Sequence, residues 1–220
     1  GVNVVGRSKH GHGLANIARE LTCDNNEQCA VDISTQMAMP LYYDAGNLVQ
    51  DPVNGGDFGS IAWLAEAIFR ETRAWKQSES HRHLVLNLSL GWSPDYGGVT
   101  GTVNSWPNDV KAVYHAIGYA HCAGALVVAA AGNETGGATG NTGALLPALW
   151  ETRNAPSANA CPSLAGADQD ESVVFSTSDY KPLLFAASGI DYKGDDIAIA
   201  RDGGRARLSA YADHGVALGI

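Results

Sequence analysis

The chain has 220 residues and a mass of 23.0 kDa, enough for one α/β domain with a sizeable core. Apolar residues make up 45% and charged residues only 17%, which excludes a disordered chain. Lys and Arg number 14 against 23 Asp and Glu, a net charge of -9 that excludes a nucleic-acid grip built on phosphate neutralisation. No apolar run reaches the ~20 residues of a membrane span, so no membrane partner is expected.

Apolar periodicity alternates between strand-like and helix-like segments. Val2–Val5 reads as a short strand, followed by a Gly- and His-rich loop and by Leu14, Ile17, Ala18 and Leu21 at helical spacing. Val31–Met39 reads as a strand stopped by Pro40, and residues 43–58 as a loop. A helix capped by Ser60 follows, with Ile61, Leu64, Ala65, Ile68 and Trp75 on its inner side. Leu84–Leu90 is a strand ended by Gly91. Asn108 is expected to cap a helix carrying Val110, Val113, Tyr114 and Ile117, with Gly124 closing it. Ala125–Ala131 is a small-residue strand ended by Gly132-Asn133, and Glu134 to Glu171 reads as loop. Val173–Thr177, Leu183–Ser188 and Arg207–Tyr211 are further strand candidates. Residues 1–220 form a single domain on this reading.

The four cysteines are too few for a disulfide scaffold. Three pairings are open to them; Cys23–Cys29 with Cys122–Cys161 is the favoured one, and four free thiols are the alternative. The chain opens at Gly1 without an initiator Met and closes directly after an apolar run. Both ends therefore read as cut from something longer.

Alternating strands and helices imply a parallel sheet with helices on its faces, and such sheets bind ligands at the carboxyl ends of their strands. Polar residues gather there repeatedly: His10 after Val2–Val5, Ser89–Gly91 after Leu84–Leu88, and Asn133 after Ala125–Ala131. His10 stands at a helix entrance, where the dipole keeps imidazole neutral, as a general base requires. Asn133 follows a strand of small residues and offers a carboxamide donor suited to an oxyanion. Asn133-Glu134-Thr135 and Asn87-Leu88-Ser89 also fit the glycosylation pattern, the second within a strand expected to be buried. Trp63 and Trp75 read as packing residues; Trp92 either borders a cleft or covers a loop. His81-Arg82-His83 reads as a solvated lead-in to a strand.

Three segments together resemble the subtilisin-like serine proteases. His10-Gly11-His12-Gly13-Leu14-Ala15-Asn16 is similar to the family's His-Gly-Thr-x-(Val/Met)-Ala-x, with His12 in place of Thr. Asn87–Gly91 is similar to its Asn-x-Ser-Leu-Gly, and Ala130–Asn133 to its Ala-Ala-Gly-Asn. The resemblance implies a three-layer α/β/α fold with a mostly parallel sheet. It further implies peptide-bond hydrolysis through an acyl-enzyme, with His10 as base and then acid and Asn133 as oxyanion donor. Ser89, Leu90 and Gly91 would pair with an extended substrate, with Ala131 and Gly132 on the facing wall of the pocket for P1, the residue before the scissile bond.

The sequence also departs from the family. Residues 1–9 hold no acidic residue to orient the His, and no Gly-Thr-Ser-x-Ala-x-Pro string occurs before Ile220. The expectation is an active parent protein whose Asp precedes Gly1 and whose Ser follows Ile220, the 220 residues alone being inactive by the triad route. A peptide-binding pseudoenzyme is one alternative; a zinc-dependent hydrolase using His10-x-His12 is another, with His81, His83, His115, His121 and His214 as further donors. No catalytic metal or cofactor is implied by the protease reading. Asp168, Asp170 and Glu171 form an acidic loop that is either solvated or a structural Ca²⁺ site. The expected partners are a peptide or protein substrate and the remaining segments of the same catalytic domain. The compartment is open, with the cysteine pairs and the family habit pointing towards secretion.

Overall fold

The computed structural model describes residues 10–23, 31–36, 38, 43–48, 60–78, 83–132, 144–157, 159–161 and 182–187. The strand candidates Val2–Val5, Val173–Thr177 and Arg207–Tyr211 lie outside these residues, as do His81, Arg82, the acidic loop with Asp168, Asp170 and Glu171, and His214. Among the described residues no helix is long and apolar enough to cross a membrane.

The described residues form three α-helices, α1 (His10–Thr22), α2 (Ile61–Gln77) and α3 (Asn108–Cys122), and five strands, β1 (Tyr43–Asp44), β2 (Asn47–Leu48), β3 (Val85–Leu88), β4 (Leu126–Ala130) and β5 (Phe185–Ala187). The last three make one parallel sheet in the order β3-β4-β5, with Leu88 opposite Ala129 and Ala129 opposite Ala186. The fold is α/β. Period-2 alternation decides which side chains the sheet buries: Leu88, Val127, Ala129 and Ala186 join Ile61, Leu64 and Ile68 of α2 and Val110, Val113 and Ile117 of α3 in one core. The opposite face presents Val85 and Leu126, both exposed. Asn87, expected to be buried, is exposed there, since it is one residue out of phase with Leu86 and Leu88.

Helix ends follow local chemistry. Gly124 takes φ +94 and leaves its N–H to His121 C=O, while Ala125 N–H reaches back to Ala120 C=O, so the last carbonyls of α3 are satisfied. Its start differs from expectation. Pro107, not Asn108, is the N-cap, because the Pro107 carbonyl takes the first helical N–H, that of Lys111. Ser60 does precede α2, but its hydroxyl makes no capping bond; its carbonyl accepts from Trp63 N–H instead. The expected inner residues Ile61, Leu64, Ala65 and Ile68 are buried, whereas Trp75 is half-buried and Trp63 is exposed.

Two segments depart from the sequence reading. Among the described residues of Val31–Met39 there is no strand: 31–36 are exposed and find no ladder partner, and Gln36 instead accepts a hydrogen bond from Arg70 of α2 (2.9 Å). Residues 43–48, expected as loop, form an antiparallel hairpin, β1 with β2. Its turn residues Ala45 and Gly46 both take positive φ (48 and 85), the backbone sense that matches strand twist in a two-residue hairpin.

The larger correction concerns the stretch after Glu134. Ala144–Ala148 and Trp150 are core residues, and Ala148–Thr152 forms a 3-10 helix beside β5. Trp150 stacks on Trp106 (5.8 Å between centroids, planes 7° apart) and meets Trp92 and Tyr114 edge-on. Its indole N–H donates to Gly98 C=O at 2.7 Å, and Trp106 donates to Thr100 C=O at 2.8 Å. Arg153 lies over the Trp106 ring and donates to Val99 C=O at 2.9 Å, so three consecutive carbonyls of the loop after β3 are held by this cluster. Trp92 is thereby a packing residue.

Cys122 and Cys161 form a disulfide that ties the end of α3 to this stretch. Cys23 is also disulfide-bonded; its expected partner Cys29 lies outside the described residues.

Candidate active site

Two of the three loops expected to meet at one sheet edge are described, and they emerge side by side. Ser89-Leu90-Gly91 leaves the carboxyl end of β3, and Ala131-Gly132 leaves the carboxyl end of its parallel neighbour β4. The register sets this proximity, since Leu88 and Ala129 are direct partners one step before the loops begin.

Ala131 is fully buried and its backbone is bonded on both sides. Its N–H donates to Ala187 C=O of β5, and its C=O accepts from Leu145 N–H, each at 2.7 Å. The next residue, Gly132, turns with φ +111, a conformation that L side chains rarely adopt. On the other loop, Ser89 Oγ donates to Asn87 Oδ1 (3.3 Å), and Gly91 lies so close to the chain that a Cβ there would stand 2.8 Å from Leu146 O.

The segment 144–147 joins the two loops. Leu145 bonds to Ala131, while Leu146 and Trp92 exchange two backbone hydrogen bonds, Trp92 N–H to Leu146 C=O at 2.8 Å and Leu146 N–H to Trp92 C=O at 3.0 Å. No periodic pattern marks this segment in the sequence; its signal is the run of buried-type residues Ala144, Leu145 and Leu146 inside a Gly- and Asn-rich stretch.

His10 is the first residue of α1, as its place at a helix entrance predicts. Its side chain and all of Asn133 lie outside the described residues. The apolar stripe of α1 is exposed, Ile17 by 55% and Leu21 by 81%, although its helical spacing is as expected. His12, the second half of the His-x-His pair, is exposed. Among the described residues no three His, Cys, Asp or Glu side chains gather in an arrangement that could hold a metal ion.

Glu151 was not legible as a site-supporting residue in the sequence. It is 2% exposed, and its Oε1 accepts the Ala186 N–H on the edge of β5 that faces away from β4.

The model of the Subtilase family matches residues 4–205, so the chain belongs to the subtilases. Comparison with curated proteins and with solved structures returned no match. The match spans the segments in which the three motifs occur in family order and supports a subtilisin-like catalytic domain, a family whose activity implies peptide or protein substrates.

Proposed function

We propose that the protein is a serine endopeptidase of subtilisin type acting through an acyl-enzyme. The observation that carries this reading is the pairing of Ser89–Gly91 and Ala131–Gly132 at the carboxyl ends of adjacent parallel strands, within a chain of the subtilase family. Ligands of open parallel sheets sit at that edge.

In this mechanism an extended peptide lies along Ser89, Leu90 and Gly91, with Ala131 and Gly132 forming the facing wall. His10 takes the proton of a serine hydroxyl as it attacks the scissile carbonyl, then returns it to the leaving amine. Asn133 donates to the oxyanion of the tetrahedral intermediate, where charge develops. The positive-φ turn at Gly132 and the two bonds on Ala131 fix the chain just before that donor, a preorganisation suited to transition-state binding. The reading requires a nucleophilic Ser and an orienting Asp that no motif within these 220 residues supplies.

The test is active-site labelling of the full-length protein with an organophosphonate, alongside its His10→Ala variant. Labelling of the former and not the latter supports the protease. No labelling, together with a coding sequence that lacks the Gly-Thr-Ser motif, sinks it and favours the peptide-binding pseudoenzyme.

A further inference from the structure

We infer that Leu145 sets the substrate class, restricting the P1 side chain to small residues such as Ala, Gly and Ser. The inference rests on the protease reading of the Ser89–Gly91 and Ala131–Gly132 walls and adds what fills the space between them.

Leu145 touches both walls. Its N–H donates to Ala131 C=O at 2.7 Å, which fastens it to the β4 loop. On the other side, a Cβ built on Gly91 would lie 3.0 Å from Leu145 Cβ and 3.3 Å from its Cδ1. The isobutyl group thus occupies the volume that the missing side chain of Gly91 leaves open. Its backbone cannot retreat easily, because Leu146 is locked to Trp92 by two hydrogen bonds and Leu149 N–H returns to Leu145 C=O at 2.9 Å. Leu145 is 5% exposed, so its side chain is packed and has little freedom to move aside.

A substrate side chain that enters between the walls meets this isobutyl group. A methyl or hydroxymethyl group asks for little room there, whereas a phenyl or long aliphatic group requires Leu145 to move within packed surroundings. Overpacking of that kind is unfavourable, and a single methylene in an apolar pocket already discriminates about 10–200-fold.

The experiment measures kcat/KM of the full-length protein on a peptide series that differs only in P1 (Gly, Ala, Ser, Leu, Phe, Tyr). A preference for Ala over Phe of roughly tenfold or more is expected, and Leu145→Ala is expected to raise relative cleavage after Phe by at least the same factor. A parent protein that favours Phe or Tyr overturns the inference without needing the variant. So does a correctly folded Leu145→Ala with an unchanged profile. In both cases organophosphonate labelling persists and the protease reading stands. Absence of both labelling and cleavage across the series removes that reading and this inference with it.

Discussion

The carboxylate of Glu151 accepts the backbone N–H of Ala186 at 2.9 Å, in the position a further strand would occupy beside β5. One residue on, Ala187 C=O receives the N–H of Ala131, so the side chain of Glu151 braces the strand against which the β4 loop is held. Removing the acceptor in Glu151→Ala orphans a buried N–H and should cost about 1–3 kcal/mol, with a further contribution from the cavity. Glu151→Gln keeps an oxygen acceptor and should recover most of that loss. Urea unfolding, with hydrogen exchange at Ala186, measures both; equal stability of the Ala and Gln variants would refute the bracing role.

Asn133→Ala in the full-length protease is expected to lower kcat by ~10²–10³ while leaving KM nearly unchanged, because an oxyanion donor acts on the transition state alone. Steady-state kinetics on one peptide decide it. A loss confined to KM would move Asn133 from the chemistry to ground-state binding.

The Cys122–Cys161 bond spans a sequence separation of 39. The chain-entropy relation gives about 4 kcal/mol for closing such a loop in the unfolded state. Cys122→Ser with Cys161→Ser should therefore unfold at distinctly lower urea than the oxidised protein. A change in unfolding free energy below about 1 kcal/mol would contradict it.

Gly98 and Gly124 form a natural pair of controls. Both take positive φ, +108 and +94, but a Cβ at Gly98 would come within 2.9 Å of Leu146 Cδ1 and Val110 Cγ1, whereas one at Gly124 meets nothing within 4 Å. Gly124→Ala should cost about 1 kcal/mol from backbone strain alone. Gly98→Ala adds overpacking and should cost about 3 kcal/mol. Thermal unfolding of the two variants compares them; equal costs would show that the aromatic core yields readily at that point.

Much of the fold is written in local pattern. The run α2-β3-α3-β4 follows from helical spacing through Ile61, Leu64 and Ile68 and through Val110, Val113 and Ile117, separated by short apolar strands. Gly124 and the Cys122–Cys161 pairing were equally readable. The core role of Ala144–Trp150 was not, because its contacts are remote: Trp150 bonds to Gly98, 52 residues away, and neither a 3-10 turn nor an isolated bridge leaves a period in the sequence. Val31–Met39 misled in the opposite sense, since β-branched residues there are not matched by a neighbouring ladder among the described residues. The placement of Ser89–Gly91 and Ala131–Gly132 at the carboxyl ends of adjacent parallel strands was legible from motif and topology. Leu145 was hidden, being defined by what it lies between.

The cross-link from α3 also bears on how the chain withstands proteolysis. A single nick anywhere between Cys122 and Cys161 leaves both fragments covalently joined, with the wall after β4 still attached to the helix that precedes it. Cleavage in that interval would show on a gel only after a thiol is added.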